Sequence, residues 1–166
     1  MQADEIRALY AYHFALNRRL WDECIVPLTQ AQFLQKFDYS IGSIRNHMVH
    51  MPNIDDNWFQ LFGGHAEAKP TFKNVVHYPT RAKIRAYWDE VLERQQRVLA
   101  ALTDEQVNQL VPLSLGGAAV DVPLWQLMLH VINHGTDHRA QVLALLHQVG
   151  VKGFPQDLVF FLAPRR

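Results

Sequence analysis

From residue 123 to residue 150 the chain reads PLWQLMLHVINHGTDHRAQVLALLHQVG, and this stretch decides the fold. Leu127, His130, His134, His138, Gln141 and Leu145 recur at three- and four-residue steps, the spacing that lines side chains along one face of an α-helix. Pro123 suits a first helical position and Gly150 is a natural stop. A long helix with one such stripe needs other helices to cover it.

Three further segments supply them. In the first, Ile6, Leu9, Tyr10, His13, Leu16, Asn17, Leu20 and Cys24 form a stripe that ends before Pro27, so His13 and Asn17 face inward. The second begins at Ser40 or Ser43, both suitable caps, and runs through Ile44, His47, Met51, Ile54, Trp58 and Leu61 to Gly63 and Gly64. Pro52 lies inside it. Its ring opposes the carbonyl of Met48 and deletes one backbone hydrogen bond, which predicts a kink or a broken turn beside His47 and His50. The third opens at Thr80 and buries Ile84, Tyr87, Trp88, Val91, Gln95, Val98 and Leu102, with Arg81, Arg85, Glu93 and Arg94 on or near its wet side.

The connections fit a bundle. Val111 to Leu115 and Ala118 to Val122 flank Gly116 and Gly117, which predicts a small hairpin before the last helix. The stretch from Gly63 to Pro79 is too long for a minimal turn and could cross the bundle to join parallel helices or cover a site. The expected fold is an all-α four-helix bundle in one domain, residues 1–166, with a C-terminal tail (Phe154 to Leu162) packed on its side.

Composition narrows the function. The 166 residues are 49% hydrophobic, enough for a core, and sixteen basic side chains balance sixteen acidic ones. A neutral chain without a recognition motif offers nothing to nucleic acid. No apolar run approaches the ~20 residues that span a bilayer, and the acidic N-terminus lacks an apolar block. The expectation is a cytoplasmic protein with neither nucleic acid nor membrane as partner. Cys24 is the single cysteine, without a CxxC or basic setting that would mark a reactive thiol.

The nine histidines are the unusual feature. His130, His134 and His138 occupy successive positions of one stripe, and residues four apart can aim two imidazoles at one ion. A core gains nothing from three imidazoles in two turns where leucine would serve, unless something coordinates or hydrogen-bonds them. A divalent metal needs at least one more ligand, and His47 and His50 on the second segment are the candidates. Spacing favours His47 slightly, because it lies nearer the centre of that stripe.

The run HVINHGTDHRAQ, His130 to Gln141, strongly resembles the last-helix signature of the DinB-like (DinB/YfiT) family of metal-dependent proteins. Upstream, IGSIRNHMVH, Ile41 to His50, resembles its second-helix signature, and the helix order extends the resemblance over nearly the whole chain. The resemblance implies an up-down-down-up bundle, often a homodimer, with one ligand from the second helix and two from the last: His50, His134 and His138. It places His130 beside the site or in the core rather than among the ligands. It also implies relatives that use a low-molecular-weight thiol as nucleophile in transferase or isomerase reactions.

Other side chains rank lower. His13 and Asn17 could line the pocket, His13 even as a base, but structural hydrogen bonding is the expected role. Arg139 and Gln141 are expected to hold helices or imidazoles in place. Asp55, Asp56 and Asp137 could serve a metal-bound water, yet are expected to be solvated helix residues. Three neutral imidazoles leave a zinc- or nickel-like ion with an open position, the pattern of catalytic sites. The functional expectation is a metal-dependent transferase- or hydrolase-like enzyme acting on a small molecule. The alternative is a stress-associated metal-binding protein whose ion only braces the bundle.

Overall fold

A computed structural model describes residues 1–64 and 70–162. It is mostly helical, with one two-stranded sheet. Helix α1 (Ala3–Arg19) passes without a break into a wider π-helical turn, Leu20–Ile25, where the Val26 N–H donates to the Trp21 carbonyl at 3.0 Å. The wider winding buries Leu20, Trp21, Cys24 and Ile25 together.

Two short helices, α2 (Gln30–Leu34) and α5 (Asp104–Asn108), were not among the expected elements. Both begin with a capping box: the Thr29 and Thr103 hydroxyls accept from the backbone N–H of Gln32 and Gln106, whose side chains accept in return. Helix α3 (Ile44–Phe62) is capped by Ser43 rather than Ser40, the Ser43 hydroxyl accepting from the Asn46 N–H at 3.1 Å. Ser40 sits instead in a turn at φ 50°, its hydroxyl donating to Gln141 on the last helix.

Of the two outcomes expected at Pro52, a kink or a broken turn, the second does not occur: α3 continues through it. The Met48 carbonyl that it leaves free accepts from the indole Nε1 of Trp88 at 2.5 Å. A neighbouring helix thus restores the lost hydrogen bond.

Residues 65–69 of the long connection lie outside the described residues. Beyond them the chain runs back along α3 in extended form. Asn57 brackets Thr71, accepting from its N–H at 2.8 Å and donating to its carbonyl at 3.0 Å, and Asn53 brackets Lys73 in the same way. After a 3-10 turn, Val75–His77, helix α4 (Arg81–Ala101) starts at Thr80, whose hydroxyl accepts from the Lys83 N–H. Contacts between α3 and α4 then advance together along both: Trp88 with Met48, Arg94 with Asp56, Val98 beside Gly63.

Strands β1 (Leu110–Leu115) and β2 (Ala118–Pro123) pair antiparallel across Gly116 and Gly117. Both glycines have positive φ, 58° and 86°, as a two-residue turn of this hand requires. Pro123 is the last residue of β2, so helix α6 (Leu124–Gln148) begins one residue later than its sequence suggests. Part of the expected tail is a short helix, α7 (Leu158–Leu162).

Helix α6 is the centre of the molecule, packing against α1, α3 and α5. Along α3 its contacts run in opposite order: His138 meets His47, His134 meets His50, and His130 meets Trp58. Along α1 they run in the same order, Met128 with Tyr10 and Arg139 with Asn17. The apolar core between them includes Ile6, Tyr10, Leu20, Met48, Ile84, Met128, Val131 and Leu145, all fully buried. Burial of each such side chain is worth about 1.5–3 kcal/mol before entropy is counted.

Candidate metal centre

Where α3 crosses α6, His50 faces His134 and His138, and one ligand nitrogen from each ring lies within 4.8 Å of the other two. The ring centres are 4.4 Å apart for His134 and His138, 4.5 Å for His50 and His138, and 5.4 Å for His50 and His134. Two of the three sit on one helix, one turn apart, so α6 alone fixes their spacing. The third is set by the packing of α3 on α6.

The environment keeps these rings neutral. Burial, reinforced by the rings of His138 and His50, pushes His134 down to about 4. His50 and His138 are lowered too, burial again the first cause, with Asp55 opposing it at His50 and Asp137 at His138. Neutral imidazole is the ligating form. Among the described residues, His134 Nδ1 is buried without a hydrogen-bond partner, as expected of a nitrogen placed for something other than protein. The donor set therefore fits a divalent cation: three uncharged nitrogens on rigid helices could bind one.

Both second-helix candidates point inward. His47 is fully buried, its Nδ1 3.1 Å from Nδ1 of His138, and burial followed by the neighbouring histidines pushes it down to about 4. His50 joins His134 and His138, while His47 lies against His138, ring centres 5.3 Å apart. His130 is exposed, which corrects the expectation of a core position; it lies beside the site, next to His134. Its ring lies edge-on to Trp58 at 5.3 Å and 6.2 Å from that of His134, because one further turn carries it beyond the end of the cluster.

Beneath the cluster, α1, α3, α4 and α6 share a buried polar network. His13 Nε2 lies 3.2 Å from Asp55 Oδ2 and 3.0 Å from Asn17 Nδ2, while Gln95 donates to the same Asp55 oxygen at 3.1 Å. Arg139, fully buried, donates to Asn17 at 2.8 Å, to Thr136 at 2.9 Å and to Gln156 of the tail at 3.2 Å. His13 and Asn17 thus do structural work, and Arg139 clasps α1 and the tail to α6. Gly135 makes room: a Cβ there would stand 2.4 Å from Cε1 of His13.

Two carboxylates depart from expectation. Asp55 and Asp56 are buried rather than solvated, because α4 brings Gln95 to the first and Arg94 to the second, at 2.8 Å. Arg94, near the wet side of α4 as expected, reaches Asp56 from a partly exposed position. Asp137 is exposed and accepts from Gln141 at 2.9 Å. Cys24 is buried, and burial raises its pKa, which leaves it an inert core thiol. The Asn53 and Asn57 brackets were not singled out in the sequence; asparagines one helical turn apart facing a long connection were the available signal.

The residues that converge here are those of the two helix signatures, and likeness to known proteins runs along the whole chain. It is 24% identical over 158 residues, 93% of this chain and 91% of the other, to "Protein DinB" of Bacillus subtilis (strain 168). The family model described as DinB family matches residues 1–166. With α3 and α6, the helices that carry the three clustered histidines, inside that match, the chain belongs to the DinB family.

Proposed function

We propose that the protein is a metal-dependent enzyme in which His50, His134 and His138 hold one divalent ion, zinc or nickel, and that its substrate is a small molecule attacked by an activated water or low-molecular-weight thiol. The observation that carries this reading is the convergence of three neutral imidazoles from two helices on one point. Three protein donors are one fewer than a closed structural site uses, which favours an open position over a brace. A bound ion would supply a nucleophile at neutral pH by lowering the pKa of what it holds. The chain's own residues supply the rest: α6 sets two donors, α3 the third, and burial keeps all three unprotonated.

The reading includes an up-down-down-up four-helix bundle formed by α1, α3, α4 and α6. Its support is the order of contacts, which advances together for α3 with α4 and for α1 with α6, and runs oppositely for α3 with α6. Among the described residues no helix is long and apolar enough to cross a membrane, consistent with a cytoplasmic enzyme. A homodimer belongs to the same reading, and light scattering at two concentrations tests it.

Metal analysis of protein purified without a histidine tag, followed by the same measurement on His134→Ala, tests the site. One equivalent of ion in the wild type and none in the variant is the expected result. Equal metal in both overturns it.

A further inference from the structure

His47 has no place in the ligand set proposed above, yet it is the most deeply buried of the four histidines at the crossing. Packing alone does not account for it. Leucine would fill the site without leaving Nε2 buried and, among the described residues, unpartnered, as it is here. The informative contact is on the other side of the ring, where Nδ1 lies 3.1 Å from Nδ1 of His138.

A neutral imidazole carries one N–H and one lone pair. Two Nδ1 atoms at hydrogen-bond distance must therefore differ, one donating and the other accepting. If His47 donates, the proton of His138 sits on Nε2 and that nitrogen cannot ligate. If His138 donates, its Nε2 keeps a lone pair. We infer that His47 is a positioning residue: its Nδ1 accepts the Nδ1–H of His138 and so fixes the tautomer in which His138 presents Nε2 to a divalent ion. This rests on the three-histidine reading.

The surroundings agree. Ligating histidines usually donate their second N–H to a carboxylate or carbonyl, which sets tautomer and ring angle. The nearest sequence candidate for that role, Asp137, is exposed and engaged with Gln141. His47 and His50 lie three residues apart on α3, and their ring centres are 5.3 and 4.5 Å from that of His138. With Nδ1 of His138 engaged by His47, Nε2 is the His138 nitrogen left for an ion.

The test uses zinc alone as probe, with affinity read by chelator competition. Wild type and His134→Ala come first: binding lost in the variant carries the three-histidine reading, and no binding by wild type overturns both it and the role of His47. His47→Leu removes the acceptor and should weaken zinc binding about 10- to 100-fold. His47→Asn places an oxygen acceptor near the position of Nδ1 and should restore binding to within a few-fold of wild type. Imidazole nitrogen NMR of the zinc-loaded wild type, which needs no variant to fold, should find the His138 proton on Nδ1 and no proton on Nδ1 of His47. A His138 proton on Nε2, or wild-type affinity in His47→Leu, overturns the inference while leaving the three-histidine site standing.

Discussion

Trp88 supplies the hydrogen bond that Pro52 takes from α3: its indole N–H donates to the Met48 carbonyl at 2.5 Å, the acceptor left without a partner by the proline ring. Trp88→Phe should strand that carbonyl and cost about 1–3 kcal/mol, read by urea unfolding. In a Pro52→Ala background, where residue 52 regains its N–H, the same Trp88 substitution should cost less. Equal costs in the two backgrounds would mean that the indole bond does not compensate for the proline.

Gly135 tests the buried network. An added methyl would stand 2.4 Å from Cε1 and 2.9 Å from Nδ1 of His13, both within a core that α1 and α6 hold rigidly. Gly135→Ala would ordinarily favour a helix by up to about 1 kcal/mol. Here the overlap should outweigh that gain and destabilise the protein by about 1–3 kcal/mol. A thermal midpoint at or above wild type would show that the helices part easily.

Metal should stabilise the fold. At a hundredfold excess over Kd, an ion that binds only the folded state adds about 2.7 kcal/mol, a rise in Tm of roughly 5–10 °C for a domain of this size. The shift should vanish in His134→Ala and in His138→Ala and persist in His130→Ala, whose ring lies outside the cluster. A shift surviving the loss of His138 would place the effect elsewhere.

Acid should weaken the metal-free protein. His47 and His134 titrate at about 4 when folded, against 6.5 for the ordinary imidazole, so between those values the unfolded chain binds more protons. Unfolding free energy therefore rises with pH across this window; it is fully present above about 6.5 and lost progressively as the pH falls toward 4. Urea midpoints at pH 7.5, 6, 5 and 4.5 should decline in that order, and less steeply in His134→Gln. A flat profile would mean that these rings are better solvated than their burial implies.

The sequence was legible wherever a period or a cap was strong. The stripe of α6, the cap at Thr80 and the Gly116–Gly117 turn all follow from local chemistry that tertiary contacts left intact, and Ser43 was one of two caps the sequence offered for α3. Convergence of His134 with His138 was equally local. The choice between His47 and His50 was not, because helical spacing turns both toward α6 and only the packing of α3 separates the ring that joins the cluster from the one that meets His138 alone among its members. Asp55 and Asp56 are buried against expectation for a related reason: a charged residue on a helix looks solvated until the partner helix brings its counterpart. The helices α2 and α5 are five residues each, too short for periodicity, though their capping boxes were there to be read.

The clasp around Arg139 also has a place in time. Its bond to Asn17 joins residues 122 apart in sequence, and the Tyr12 hydroxyl donates to the Gln156 carbonyl across 144. Closing such long loops costs entropy that no local contact repays in advance, so these bonds belong to the end of folding rather than its nucleus. Interactions that form after the rate-limiting barrier act on escape from the native state. Weakening the clasp should leave the rate of refolding almost untouched and shorten the lifetime of the folded molecule.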